Sequence, residues 1–179
     1  RVGVPVAGRT RVETEGLIGC FVNTLVLRAE LDGQQPFVAL LDQVKAASLA
    51  AQAHQELPFE RLVEALQPER DLSHPPLFQV LFNLFEGQQS RRLELPGLSI
   101  EEIQREQSAA QFDLSLDMAE RGGQLEACFS FNRDLFDDAT VVRYAAGFER
   151  LLRGILANPD CRIGQLPLLS ETEQTMLLA

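Results

Sequence analysis

Two histidines, His54 and His74, are the side chains in this sequence best suited to proton transfer near neutral pH, and they stand far apart. No adjacent Ser or Cys motif makes either histidine a convincing nucleophile-activating group. His54 falls at the end of an expected helix, where the helix dipole favours a cationic imidazole. His74 precedes Pro75-Pro76, which constrain it toward extended backbone. Cys20, Cys128 and Cys161 are odd in number and widely spaced, a pattern expected of free thiols in a reducing cytosol. No Cys/His cluster has zinc spacing, and no glycine-rich phosphate loop is present. Asp113 and Asp117 share a strand face, an alternation that a solvated face explains better than acid/base pairing.

Asn23 is a different case. It sits where a strand begins, between Val22 and Thr24, and a buried amide there needs partners for two donors and an acceptor. It either pins a loop to the strand or lies beside a substrate channel, and the sequence leaves both open. Arg9, Arg28 and the Arg70-Asp71 pair carry the same double reading, with structural ion pairing preferred for Arg28 and for Arg70-Asp71.

The elements that must hold these residues alternate between α and β. Val2, Val4 and Val6 predict a short strand, followed by a polar loop over Ala7–Arg11. From Asn23 to Leu31, Leu25, Leu27, Ala29 and Leu31 share one face of a half-buried strand. Asp32-Gly33 ends it, and Pro36 opens a helix to His54 with a stripe of Phe37, Leu40, Leu41, Val44, Ala47 and Ala51. Pro58 opens a shorter helix that closes at Pro68. Phe78–Phe85 reads as a strand buried on both faces. Residues 112–131 read as a hairpin around Gly122-Gly123, with a tip of two residues or longer. Asp137 or Asp138 caps a last long helix ending at Asn158-Pro159. Leu166–Leu169 is an extended apolar strip, and Ser170-Glu171-Thr172-Glu173 reads as a capping box.

Composition sets limits. A chain of 179 residues supports one substantial core, and 45% hydrophobic with 23% charged residues is ordinary for a soluble domain. The net charge of -10, with Lys45 the single lysine among fifteen arginines, gives no basic stripe, which argues against a nucleic-acid partner. No apolar run approaches the roughly 20 residues that cross a bilayer, so no membrane partner is expected and a cytoplasmic location is. The abrupt opening Arg1-Val2-Gly3-Val4 reads as an excised piece.

Three ordered segments, Gly19–Arg28 (GCFVNTLVLR), His54–Glu60 (HQELPFE) and Arg70–Gln79 (RDLSHPPLFQ), resemble the second half of the condensation domain of nonribosomal peptide synthetases. Val2–Arg11, Phe112–Leu116 and the final helix are similar to further family segments, so the resemblance covers nearly the whole chain. His74-Pro75 departs from it, standing where Arg-Asn is frequent. Phe-Val-Asn-Thr with Arg-Asp-x-Ser favours amide-forming members over the epimerising and heterocyclising branches. The family's catalytic signature, two adjacent histidines before Asp-Gly, belongs to the other half and does not occur here.

The resemblance implies an α/β, mixed-sheet sandwich of the chloramphenicol-acetyltransferase type, one of two subdomains flanking a tunnel. It implies a C-terminal condensation subdomain over residues 1–165 and, over 166–179, the start of a linker toward an adenylation domain. The tail packed on its own domain remains the alternative. No cofactor is expected to bind directly; phosphopantetheine arms of donor and acceptor peptidyl carrier proteins would enter the tunnel of the intact domain. Asn23 becomes a tunnel-side candidate, and Arg9, Arg28, His54, Gln55, Pro58, Phe59, Glu60, Arg70 and Asp71 become structural motif residues. Expected partners are the N-terminal condensation subdomain, the two carriers and the adenylation domain, and the chain alone is expected to self-associate and to be inactive. A noncatalytic relative that recruits a partner protein is the other reading.

Overall fold

The computed structural model describes residues 1–68, 75–85, 98 and 110–178. In chain order the elements are β1 (Val2–Val6), α1 (Val12–Glu15), β2 (Asn23–Leu27), α2 (Phe37–Gln52), α3 (Phe59–Leu66), β3 (Val80–Phe85), β4 (Leu114–Arg121), β5 (Gln124–Phe131), α4 (Asp138–Ala157) and α5 (Glu171–Leu178). A 3-10 turn covers Ile163–Gln165.

The five strands form one mixed sheet in the order β2-β1-β3-β4-β5. β1 pairs antiparallel with β2 and parallel with β3; β3 pairs parallel with β4, and β4 antiparallel with β5. The three strands expected to share a sheet therefore do so. α2 packs on edge strand β2, and α4 on the opposite edge strand β5. The middle of that sheet face is left to a cavity of about 810 Å³.

Several boundaries differ from the sequence reading, each for a local reason. β2 stops at Leu27, because its ladder with β1 ends at the Val2–Leu27 pair, and Leu31 lies exposed beyond it. β3 begins at Val80, two residues after Phe78. Although central, it is not sealed on both faces: the successive residues Leu84 and Phe85, which point to opposite faces, are both exposed. The hairpin tip, whose length the sequence left open, holds two residues. Gly122 (φ +59°) and Gly123 (φ +78°) both take left-handed backbone, the combination a type I′ turn demands. Leu41, placed in the α2 stripe, is exposed.

Helix ends are satisfied across the chain. Pro36 caps α2, whose first amides donate to distant carbonyls: Phe37 N–H to Cys161 (3.0 Å) and Val38 N–H to Pro159 (3.3 Å). Asp137, not Asp138, caps α4, its carboxylate accepting from the Thr140 amide at 2.6 Å. The Thr140 amide, then its hydroxyl and Arg143, hold the Asp137 carboxyl below the ordinary aspartate range.

The tail packs on α4. Ser170 and Glu173 form a reciprocal capping box: the Ser170 amide donates to Glu173 Oε2 at 2.7 Å, and the Glu173 amide to Ser170 Oγ at 3.2 Å. Arg150 on α4 donates to the Leu168 carbonyl and to Glu173 Oε2, both at 3.1 Å. Gly154 admits the Pro167 ring, whose Cδ lies 2.6 Å from where a Cβ would be.

Candidate functional site

The first two resemblance segments and Phe78 of the third meet around a cleft of about 910 Å³, onto which the start of β2 at Asn23 opens. Its first wall begins at Gly8. Gly8 has φ +65°, and an added Cβ would lie 1.9 Å from the Phe21 carbonyl oxygen, so only glycine fits this close approach. That approach folds residues 9–22 back on themselves. The Arg9 guanidinium sits 4.3 Å above the Phe21 ring centroid and donates to the carbonyls of Thr14 and Gly19. Arg9 is thus the staple of this loop.

The second wall is the turn between α2 and α3, and Asn23 clips it to β2. Its Nδ2 donates to the Gln55 carbonyl at 2.8 Å and to the Leu57 carbonyl at 2.7 Å. Its Oδ1 accepts from the Thr24 amide at 2.9 Å and from the Phe59 amide at 3.1 Å. Two donors and two lone pairs are the whole capacity of the amide, and backbone groups take all four. Asn23 therefore borders the cleft, yet its amide is engaged by the protein itself. Gln55 contributes its carbonyl and Pro58 caps α3, while Glu60 lies in that helix's first turn, where a carboxylate suits the dipole. Thr10 Oγ1 donates to Glu56 Oε1 at 3.1 Å and ties the two walls together.

The floor is aromatic. Phe78 is 2% exposed, stacks on Phe112 with centroids 5.4 Å apart, and meets Phe59 edge-on at 5.7 Å. Its ring lies over Gly3, whose side-chain direction is opposite to that of Val2 and Val4.

The remaining candidates lie elsewhere. His54 is exposed in the turn after α2, outside the cleft lining. Arg28 pairs with Glu30 at 2.9 Å, both largely exposed, a contact worth little to stability. Asp117 Oδ1 accepts from Asn83 Nδ2 at 3.2 Å, in direct register on β3 and β4. Asp117 and Asp113 are half-buried rather than freely solvated. Arg70, Asp71 and His74 lie outside the described residues. Cys20 and Cys128 are exposed and Cys161 half-buried, all three as free thiols.

Sequence reasoning missed the roles of Phe78 and of the Thr10–Glu56 bond. A glycine inside Val2-Gly3-Val4, where a half-buried strand wants a side chain, was the sign that something packs against the backbone there. Among the described residues the cleft brings together no nucleophile hydrogen-bonded to a base. What it offers is shape: an aromatic floor and two walls held by backbone-directed side chains.

A condensation-domain family model matches residues 1–178. The chain is 45% identical over 99% of its length to a linear gramicidin synthase polypeptide of Brevibacillus parabrevis, and 39% identical over 99% to surfactin synthase subunit 2 of Bacillus subtilis. It spans only 2% and 5% of those relatives' own lengths. Among solved structures, a four-domain nonribosomal peptide synthetase bound to AMP and glycine superposes with a TM-score of 0.86 at 24% identity, over 97% of this chain and 14% of that one. The X-domain from teicoplanin biosynthesis, in complex with OxyB, gives 0.82 at 27% identity, over 95% of this chain and 38% of that one. The mixed five-stranded sheet with its helices is the chloramphenicol-acetyltransferase-like fold of these structures. This chain belongs to the condensation-domain family of nonribosomal peptide synthetases.

Proposed function

We propose that residues 1–165 are the C-terminal half of an amide-forming condensation domain, and that the cleft beside Asn23 is one wall of its substrate tunnel. The observation that carries this is the convergence of Gly8, Asn23, the Gln55–Phe59 turn and Phe78 on one cleft that, among the described residues, holds no nucleophile hydrogen-bonded to a base. In the proposed reaction the acceptor amine attacks the carbonyl carbon of the donor thioester. A C–N bond forms, the C–S bond breaks, and the departing sulfur takes up the proton that nitrogen loses. No external oxidant or reductant is needed. Such chemistry depends chiefly on placing two tethered reactants at roughly 3–3.5 Å, which a rigid wall serves directly. Phosphopantetheine arms of the two carriers are the tethers, and the chain's own surface supplies part of each carrier's docking face. Arg9 holds the loop wall, and Asn23 holds the α2–α3 turn. The tail from Leu166 leads toward an adenylation domain while resting on α4.

The test is dipeptide formation between loaded carrier proteins. The chain alone is expected to give none, and the chain joined to an N-terminal condensation half to give turnover. Robust turnover by the chain alone would end the half-enzyme reading.

A second reading has one specific support: the teicoplanin X-domain, 27% identical, is seen in complex with OxyB. On that reading the chain is part of a module that recruits a protein. A whole domain that binds a partner but forms no dipeptide with any loaded carrier pair would favour it.

A further inference from the structure

Among the described residues the outer edge of β5 is open and unguarded. β5 pairs with β4 alone, in an unbroken ladder from Gln124 to Phe131 without a bulge. It carries no proline, lysine or arginine, the residues that commonly protect an edge, and Gln124–Cys128 are exposed. The opposite edge strand, β2, is shorter, and Asn23 clips the α2–α3 turn to its start. Backbone direction along β5 is set by its hairpin. A two-residue tip makes Arg121 and Gln124 a hydrogen-bonded pair, and Asn132 N–H donates to the Asp113 carbonyl at 3.0 Å. Even-numbered residues therefore turn their backbone groups to β4, whereas those of Leu125, Ala127, Phe129 and Phe131 point outward. That outward set is symmetric about Cys128. Two antiparallel copies of the strand centred there would pair all four residues of each through roughly eight hydrogen bonds. Any other centre pairs fewer of them. Leu125 would then face Phe131 of the second copy, and Glu126 would face Ser130 rather than another carboxylate.

The helix above this edge has an apolar outer side. At about 100° per residue, Val142, Leu152 and Leu156 share one side of α4, opposite Gly147 and Gly154, on which the tail packs. Phe148, between the two sides, meets Phe129 of β5 edge-on at 6.4 Å. Gly147 lines the inner cavity and the three aliphatic side chains do not, so they face outward past β5. Val142 is 68% exposed and Leu156 84%. Glu149 on this side is paired with Arg153 at 2.6 Å, which balances its charge. We infer that β5 and α4 together form a docking surface for a second copy of this chain, with a two-fold axis at Cys128. The sheet would continue from one copy into the other, with the two α4 helices side by side above the junction. Packed helices stand about 8–10 Å apart and paired strands about 4.8 Å, so each α4 must sit about 2–3 Å inboard of its β5. Its place on the rim of the inner cavity fits that offset. A strip about 27 Å long and about 20 Å tall buries about 1,100 Å² in total, just above the roughly 1,000 Å² that a specific interface needs. The dimer is therefore weak and concentration-dependent.

The test is sedimentation of chain 1–179 over a concentration series, followed by oxidation with diamide. A monomer–dimer equilibrium is expected. Diamide, reduced to its hydrazine as two thiols lose their hydrogens, should join Cys128 of one copy to Cys128 of the other. A non-hydrogen-bonded antiparallel pair holds its Cα atoms about 4.5 Å apart, inside the roughly 4.4–6.8 Å that a disulfide accepts. The double variant Cys20→Ser/Cys161→Ser should still cross-link, and Cys128→Ser should not. Leu156→Glu, at an exposed position, should weaken the dimer about tenfold or more and leave the monomer's thermal midpoint unchanged. Ala127→Pro removes an outward amide and should act likewise. Val12→Glu, exposed on α1, should change nothing. A chain that stays monomeric, a dimer indifferent to Leu156→Glu, or cross-links through Cys20 or Cys161 alone would overturn the proposal. So would a monomeric protein extended through an adenylation domain in which the Leu125 and Ala127 amides are protected from deuterium exchange. That domain, not a second copy, would then be the occupant.

Discussion

The Phe78 ring occupies the space that a side chain on Gly3 would need: a Cβ built there would lie 2.2 Å from the ring's Cε2. One residue is small so that the other can lie flat on the strand. Phe78→Ala is expected to cost about 3–5 kcal/mol, as a buried aromatic lost from a core. Gly3→Ala should cost about 1–3 kcal/mol by displacing the ring. The double variant should cost clearly less than the sum, because the new methyl meets no ring. Urea melts of all four proteins measure this; additive losses would mean the two residues do not share the space.

Asn23 should report on stability before it reports on chemistry. Asn23→Ala leaves the Gln55 and Leu57 carbonyls and the Phe59 amide without their partner, at an expected cost of about 2–3 kcal/mol. Asn23→Asp keeps the acceptor but sets a carboxylate against two carbonyls, so it should be no more stable than the alanine variant at pH 7. An Asn23→Ala protein with an unchanged melting temperature and slow condensation in the whole domain would instead place the amide in direct contact with substrate.

Two glycines with similar backbone should respond differently to alanine. Gly8 and Gly122 both have positive φ, a strain of about 1–2 kcal/mol for an L-residue. Only at Gly8 would the methyl strike backbone, the Phe21 carbonyl oxygen, while nothing lies within 4 Å at Gly122. Gly8→Ala is therefore expected to lower the melting temperature well beyond Gly122→Ala. Equal losses in thermal scans would refute the close approach.

The tail should undock in acid. Ser170, through its hydroxyl and then its amide, with Arg150 and Arg143 beyond, holds the Glu173 carboxyl below its ordinary range. The docked state thus binds fewer protons than the undocked one. Its stabilisation is present above the free glutamate pKa of about 4.3 and is lost as pH falls through the depressed value. Protease cleavage after Arg162 should rise over that window in the wild type. In Glu173→Gln it should already be raised at pH 7 and should show less dependence on pH there.

Much of the fold was legible because it rests on local pattern. Alternation in Val2–Val6 and in 114–131, the proline starts of α2 and α3, and the Ser170–Glu173 box each follow from neighbours in sequence. The errors occur where a distant partner decides. β2 ends with its ladder to β1, at the Val2–Leu27 pair, not where the alternation stops at Leu31. β3 looked sealed because its residues are apolar, yet cover comes from distant elements, and Leu84 and Phe85 stay exposed. The cleft was legible in part: the sequence marked Asn23 as an amide in need of partners, but the four partners come largely from 32–36 residues further along. The Phe78 position could not be read from alternation, since its ring packs from a turn rather than from the strand.

The sharing of one oxygen by two amides has a kinetic consequence. Asn23 Oδ1 accepts from Thr24 on the sheet and from Phe59 at a helix start, so a single side-chain rotation releases both protons to solvent. Their deuterium exchange should proceed through the same opening, with matched protection and matched sensitivity to denaturant, although the two residues belong to different elements. The sheet's edge and the turn wrapped beside it would then breathe as one unit.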